Sequence, residues 1–180
     1  MTPFVTNITN LLSLGTIAAE IFGIFLILLL ATPLGERGWG KRTRDFLGEY
    51  ALTLAFLMTL AAAGSSLFYS DVAGFAPCLL CWWQRIFLYP QLILLLIAVI
   101  KRDDAVRKYC LALSGIGVLI SIYHTYLQFG GNDLVPCSAT GVSCNHVYFV
   151  TYGYITIPTM ALTAFAVIFL LMLIPRPSED

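Results

Sequence analysis

Residues 77–100 read PCLLCWWQRIFLYPQLILLLIAVI, an apolar run that opens on two cysteines three positions apart and carries a single cation, Arg85. A spanning helix needs about 20 mostly apolar residues to cross a hydrocarbon core of about 30 Å. Working outward, this run and four further segments meet that test, at about 12–34, 49–70, 80–100, 109–129 and 154–174. Nothing between them is long enough to form a second domain. Of the 180 residues 59% are hydrophobic and 11% charged, well below the share of about 25% charged residues in soluble domains. Ten basic residues balance ten acidic ones and fall in short clusters, which excludes the basic face that a nucleic-acid binder needs. The expected fold is therefore an all-α integral membrane bundle of five helices. The first segment has no Lys or Arg before it and exceeds a signal-peptide core, so it is read as a retained helix.

Basic residues set the expected orientation, because cytoplasmic loops near helix ends retain Lys and Arg. The loop 35–48 holds Arg37, Lys41, Arg42 and Arg44, the loop after the third segment holds Lys101, Arg102, Arg107 and Lys108, and the tail adds Arg176. Nine of the ten cations thus share one side, with Arg85 alone at the mouth of the third helix. The N-terminus is predicted outside and the C-terminus cytoplasmic. Four of the five cysteines, Cys78, Cys81, Cys137 and Cys144, then lie at or beyond the outer surface, where disulfides persist, while Cys110 lies near the cytoplasmic end. Tyr148, Phe149, Tyr152 and Tyr154 resemble an aromatic belt, and residues 145–153 are expected along the membrane surface.

The C-x-x-C of Cys78 and Cys81 at the entry to a helix brings two thiols within disulfide reach and exposes them to unpaired N–H groups that favour a thiolate. Pro77 is expected at the helix start, where its missing N–H costs nothing. Arg85 follows Cys81 by four residues and Cys78 by seven, which predicts one shared helix face. A fixed cation beside an exchanging sulfur suits thiol–disulfide chemistry, or holds the oxygen of a polar-headed lipid cofactor. Trp82 in place of His after Cys81 removes the c-type haem motif. Cys137 and Cys144 flank six residues in a loop with Gly130, Gly131, Pro136 and Gly141, which can turn and move. Structural staples, or a zinc site built from the four thiolates, are the inert alternatives.

The run P-C-x-L-C-x-x-x-R at the head of a transmembrane helix, with a second cysteine pair in the next outer loop, resembles the disulfide bond formation protein B (DsbB) family. The short spacing of the second pair and Gly153-Tyr154-Ile155-Thr156-Ile157-Pro158 are similar to its BdbC-like branch. The resemblance covers residues 48–174 as a four-helix redox domain; residues 1–47 are an extra helix and basic loop, and 175–180 a tail. It implies a thiol:disulfide oxidoreductase of the bacterial inner membrane. In that relay Cys137–Cys144 oxidises a DsbA-like thioredoxin-fold partner, Cys78–Cys81 reoxidises the loop pair, and a membrane quinone, ubiquinone or menaquinone, takes the electrons. Cys81 is then the thiol next to the quinone, and Arg85 assists it. Where the family often has an acid, this chain has Gln84.

The resemblance also puts a His-Thr-x-x-Gln run near the quinone, matched here by His124, Thr125 and Gln128. His124 is able to move a proton or bond a quinone oxygen, and Gln128 lies one turn later on the same face. Glu20 is the one acid within the first segment and is expected to be neutral or paired toward the other helices. Cys110 reads as a small buried apolar residue, and His146 as solvated or interfacial. The nearest enzyme rival is a vitamin K epoxide reductase-like protein, in which the loop pair precedes the C-x-x-C; here it follows. A metal-binding or scaffold membrane protein is the rival of another class.

Overall fold

A computed structural model describes residues 2–32, 38–132, 137 and 142–177. Residues 35–37 of the basic loop, Pro136 and residues 138–141 of the second cysteine loop lie outside the described residues, as does the end of the tail.

Five helices follow in order: α1 Pro3–Ala31, α2 Gly38–Leu67, α3 Leu79–Lys101, α4 Arg107–Gln128 and α5 Ile157–Leu173. A π-helical turn, Phe68–Val72, extends α2, and a 3-10 turn, Asp104–Val106, precedes α4. The first four, with their extensions, are long and apolar enough to cross a membrane, so the protein is a multi-pass membrane protein. With 17 residues, α5 spans about 25 Å. Its start is set by Thr159, whose hydroxyl accepts the Thr156 N–H at 2.7 Å, three residues later than hydropathy alone suggests.

Two helices begin earlier than the apolar runs do. Thr2 caps α1 by accepting the N–H of Val5, and Pro3 occupies the first turn. The helix α2 starts at Gly38, so Lys41, Arg42 and Arg44 lie on its first turns and not in a loop. Lys and Arg are good helix formers that a hydropathy window counts against a span.

Burial is inverted relative to a soluble bundle. Leu11, Ile24, Leu57, Ile93, Ile100 and Leu119 are exposed, while Thr9, Thr59, Gln91, Ser114, Ser121 and His124 are buried. Lipid is as apolar as leucine, so inward faces are chosen by close packing and by polar satisfaction. Ser114 donates to Gln91 Oε1 at 2.7 Å and Gln84 donates to Ser121 at 3.1 Å, which ties α3 to α4 twice. The most extensive helix contact is α4 with α5, and there a Cβ on Gly117 would enter the ring of buried Phe165.

At the basic end, Arg107 donates to the Ile174 carbonyl at 2.5 Å and to the Gly48 carbonyl at 2.9 Å. It also pairs with Asp104, as does Arg176. These bonds gather α2 at Gly48, the α3–α4 turn and the tail at one end of the bundle. The described cysteines other than Cys110 lie at the far ends of the same helices, and Cys110 is buried in the main core.

Helix α1 packs chiefly on α5 and barely touches α2. Ser13 Oγ lies 2.6 Å from Thr151 Oγ1. Farther along, Glu20 accepts from the Tyr154 hydroxyl at 2.5 Å and the Thr163 hydroxyl at 3.1 Å. The acid of the first helix is thus paired toward α5.

Candidate functional site

The site is built on the start of α3. Cys78 is the N-cap of that helix, with Leu79 as the first helical residue, so Pro77 stands one position before the cap and not in the first turn. A capping position turns the side chain back over the helix end, and the Cys81 N–H donates to Cys78 Sγ at 3.3 Å. The two sulfurs lie 2.6 Å apart, closer than unbonded sulfurs rest and placed to close into a disulfide. The hydrogen bond from the Cys81 side chain outweighs burial and, with His124, holds the Cys78 thiol below the ordinary thiol range.

Both inner cysteines pack beside the loop pair, and Cys81 in addition lines a cavity. Cys78 packs with Leu127 and with Cys137 and Cys144, which form a disulfide whose Cα atoms are 5.8 Å apart. His124, one turn before Leu127 on α4, brings Nε2 to 3.5 Å from Cys78 Sγ. Its Nδ1 is buried with no hydrogen-bond partner among the described residues. Both sulfurs and a ring nitrogen of His124 lie within 4.8 Å of one another, a spacing that also suits three ligands of a metal ion.

Cys81, half-buried, lines a cavity of about 250 Å³ between α1, α2, α3 and α5. Apolar Leu11, Leu88, Met58 and Met160 make much of its wall; Arg85, Gln84, Ser66 and Tyr148 supply polar groups. Arg85 donates through Nε to Ser66 Oγ at 2.9 Å and through a terminal nitrogen to the Ser66 carbonyl at 3.0 Å. Its guanidinium carbon sits 5.2 Å from the centre of the Trp82 ring, a cation–π distance. Ser66 lies just before the π turn, a widening of the helix that recurs at functional sites.

Residues with expected roles are therefore divided between two sides. Cys81 and Arg85 share the cavity, whereas Cys78 turns to His124 and the loop disulfide. His124 and Gln128, expected at the cofactor, are not in the cavity wall. Gln128 instead donates to the His146 carbonyl at 3.0 Å, and the exposed His146 ring meets Tyr148 edge-on. The aromatic stretch after the second cysteine pair splits as well. Tyr152 and Tyr154 are exposed, but Tyr148 stacks on Phe75 at 4.3 Å and donates to the Ala76 carbonyl at 2.8 Å, pinning the chain just ahead of Cys78. Ser66, Tyr69 and Tyr148 carry no local signal for this role; only the π turn and the fold bring them to the cysteines.

Residues 48–175 match the family model described as disulfide bond formation protein DsbB. The chain is 39% identical over 127 residues to a probable disulfide formation protein of Metapseudomonas resinovorans, covering 69% of this chain and 88% of that one. It is 40% identical over 125 residues to probable disulfide formation protein C 1 of Bacillus cereus, covering 67% and 87%. It is also 41% identical over 124 residues to disulfide bond formation protein C of Bacillus subtilis, covering 67% and 88%. No solved structure matches the chain significantly. Two cysteine pairs side by side at one end of a membrane bundle, in a sequence that aligns with these proteins over most of their length, make this chain a member of the DsbB family of disulfide bond formation proteins, with a role in thiol–disulfide oxidation.

Proposed function

We propose that the protein passes electrons from a DsbA-like, thioredoxin-fold dithiol partner to a membrane quinone, ubiquinone or menaquinone, in the bacterial inner membrane. The cysteine end faces outward and the C-terminus lies in the cytoplasm, a reading supported by the gathering of Lys and Arg at the opposite end. The observation that carries the proposal is that the inner pair lies between the loop cysteines and a cavity. Cys78 adjoins Cys137 and Cys144, and Cys81 opens on a cavity next to Arg85.

The relay follows from that order. A partner thiolate attacks the Cys137–Cys144 disulfide, and the partner's second thiol resolves the mixed disulfide, leaving the partner oxidised and the loop pair as two thiols. One loop thiolate then attacks Cys78, the inner sulfur that faces it, and Cys81 leaves as a thiolate toward the cavity. The second loop thiol resolves this bond and frees Cys78 beside His124, which is placed to hold the proton. Arg85, clamped by Ser66, sets a positive charge at the cavity that the Cys81 thiolate lines. Once the electron pair has left the inner dithiol, Cys78 and Cys81 close again.

A lipid quinone fits the residues present. Its flat apolar ring would suit a wall of Leu, Met and Ala, and the Arg85 N–H groups that Ser66 leaves over would hold its carbonyl oxygens. When bound it supplies an acceptor for two electrons and two protons.

A second reading rests on the Cys78, Cys81 and His124 spacing, which in the reduced protein suits zinc. Purified protein separates the two. With a reduced thioredoxin-fold dithiol protein and a soluble quinone, the unmodified chain reduces quinone, and Cys81→Ser and Cys137→Ser abolish it. Equal activity in all three, or stoichiometric zinc in the isolated protein, sinks the relay.

A further inference from the structure

We infer that α1, which precedes the residues shared with the family, is a wall of the acceptor site and limits which quinones enter it. The inference rests on the quinone reading above and assigns a specificity role to residues that reading does not use. Leu11, Leu12, Gly15 and Thr16 of α1 line the same cavity as Cys81 and Arg85, across from Met58 and Ala62 of α2. Without α1 the cavity has no wall on this side.

The helix is held at a fixed rotation. Ser13 meets Thr151, and Glu20, two turns further, meets Tyr154 and Thr163 on α5. An acid within an apolar span is costly unless partnered, so this pairing fixes which face α1 shows to α5. Gly23 closes the same contact, with Val167 3.5 Å from where its Cβ would be. The neighbouring face then carries Leu11, Leu12 and Gly15 to the cavity.

Gly15 lies in the cavity wall. A Cβ placed there meets nothing within 4 Å, although glycine inside a helix costs about 1 kcal/mol relative to alanine. The side of α1 that faces α2 is nearly contact-free, and Leu11 at its edge is 65% exposed. This gap, flanked by Gly15, Ala61 and Ser65, is a lateral exit for an isoprenoid tail into lipid. At about 250 Å³ the cavity is smaller than ordinary sites for drug-sized ligands and takes a ring with little more than its first tail unit. Bulk added on α1 therefore acts on the ring and the start of the tail.

The test uses the full-length protein and a photoreactive azidoquinone with a short isoprenoid tail, with label position read by peptide mass spectrometry and affinity by titration. Label is expected in the peptide containing residues 11–16. Gly15→Phe is expected to weaken binding by about tenfold or more and to remove that label. Gly64→Phe is the control: it adds the same bulk on α2 at a position outside the cavity where a Cβ also meets nothing within 4 Å, and both readouts should stay as in the unmodified chain. The label on unmodified protein decides the matter even if Gly15→Phe folds poorly, which its thermal midpoint reports. Label confined to α2–α5, or full affinity in a folded Gly15→Phe, overturns the role of α1 and leaves the quinone reading standing. No label anywhere, together with no quinone reduction, removes that reading and this inference with it.

Discussion

Replacing Ser66 by alanine tests how Arg85 is held and what its position is for. The Ser66 hydroxyl and carbonyl take two N–H groups of the guanidinium at 2.9 and 3.0 Å, and alanine removes the first acceptor while keeping the second. Hydrogen bonds to charged groups contribute about 1.5–3 kcal/mol. Half of the clamp survives, and Trp82 still backs the cation, so the loss belongs at the low end, about 1.4 kcal/mol or a factor of about ten. Part of that loss appears as disorder of Arg85 and part as weaker acceptor binding. The expected outcome is a quinone KM raised about threefold to tenfold, with the KM for the partner dithiol changed less than about twofold. Arg85→Lys keeps the charge but not the planar fork and should raise the quinone KM further. The assay is steady-state quinone reduction by purified protein, varying quinone at saturating partner and then the reverse. An unchanged quinone KM in Arg85→Lys, or a Ser66→Ala defect confined to the partner KM, refutes the reasoning.

Three further outcomes follow from the same geometry. In the reduced protein Cys78 should stay reactive toward a small alkylating agent as pH falls below the ordinary thiol pKa of about 8.5, because a lowered pKa keeps the thiolate populated at lower pH. The midpoint of that profile should move up in Cys81→Ala, which deletes the main hydrogen-bond partner; a profile that stays put contradicts the assignment. Gly117→Ala should lower the thermal midpoint in detergent, since overpacking against the Phe165 ring costs about 1–3 kcal/mol, against a helix-propensity gain of about 1 kcal/mol; a raised midpoint would mean that α4 and α5 are not in close contact there. Glu20→Leu should speed hydrogen exchange in α1 while leaving α4 unchanged, because both of its bonds run to Tyr154 and Thr163 on the α5 side; uniform exchange across the bundle would show that those bonds do not hold α1.

The membrane class, the two cysteine pairs and the family were legible in the chain because each is a local property. An apolar run has a length, a C-x-x-C has a spacing, and clustered Lys and Arg have a sign. Boundaries were less legible where a polar cap or a basic first turn extends a helix beyond its apolar stretch, as at Thr2 and Gly38. Which face of each helix turns inward was hidden for a physical reason: in lipid the outward side is as apolar as the core, so hydrophobicity stops marking it.

Spans, thiols and charges are therefore readable from the order of residues alone. Tertiary structure alone decided that Cys78 looks toward the loop disulfide while Cys81 looks into a cavity, that Arg85 meets Ser66 on another helix, and that α1 covers the cavity by leaning on α5. These relations join residues tens to more than a hundred positions apart, and they are set by helix crossing and side-chain interlock, which no short window of sequence contains.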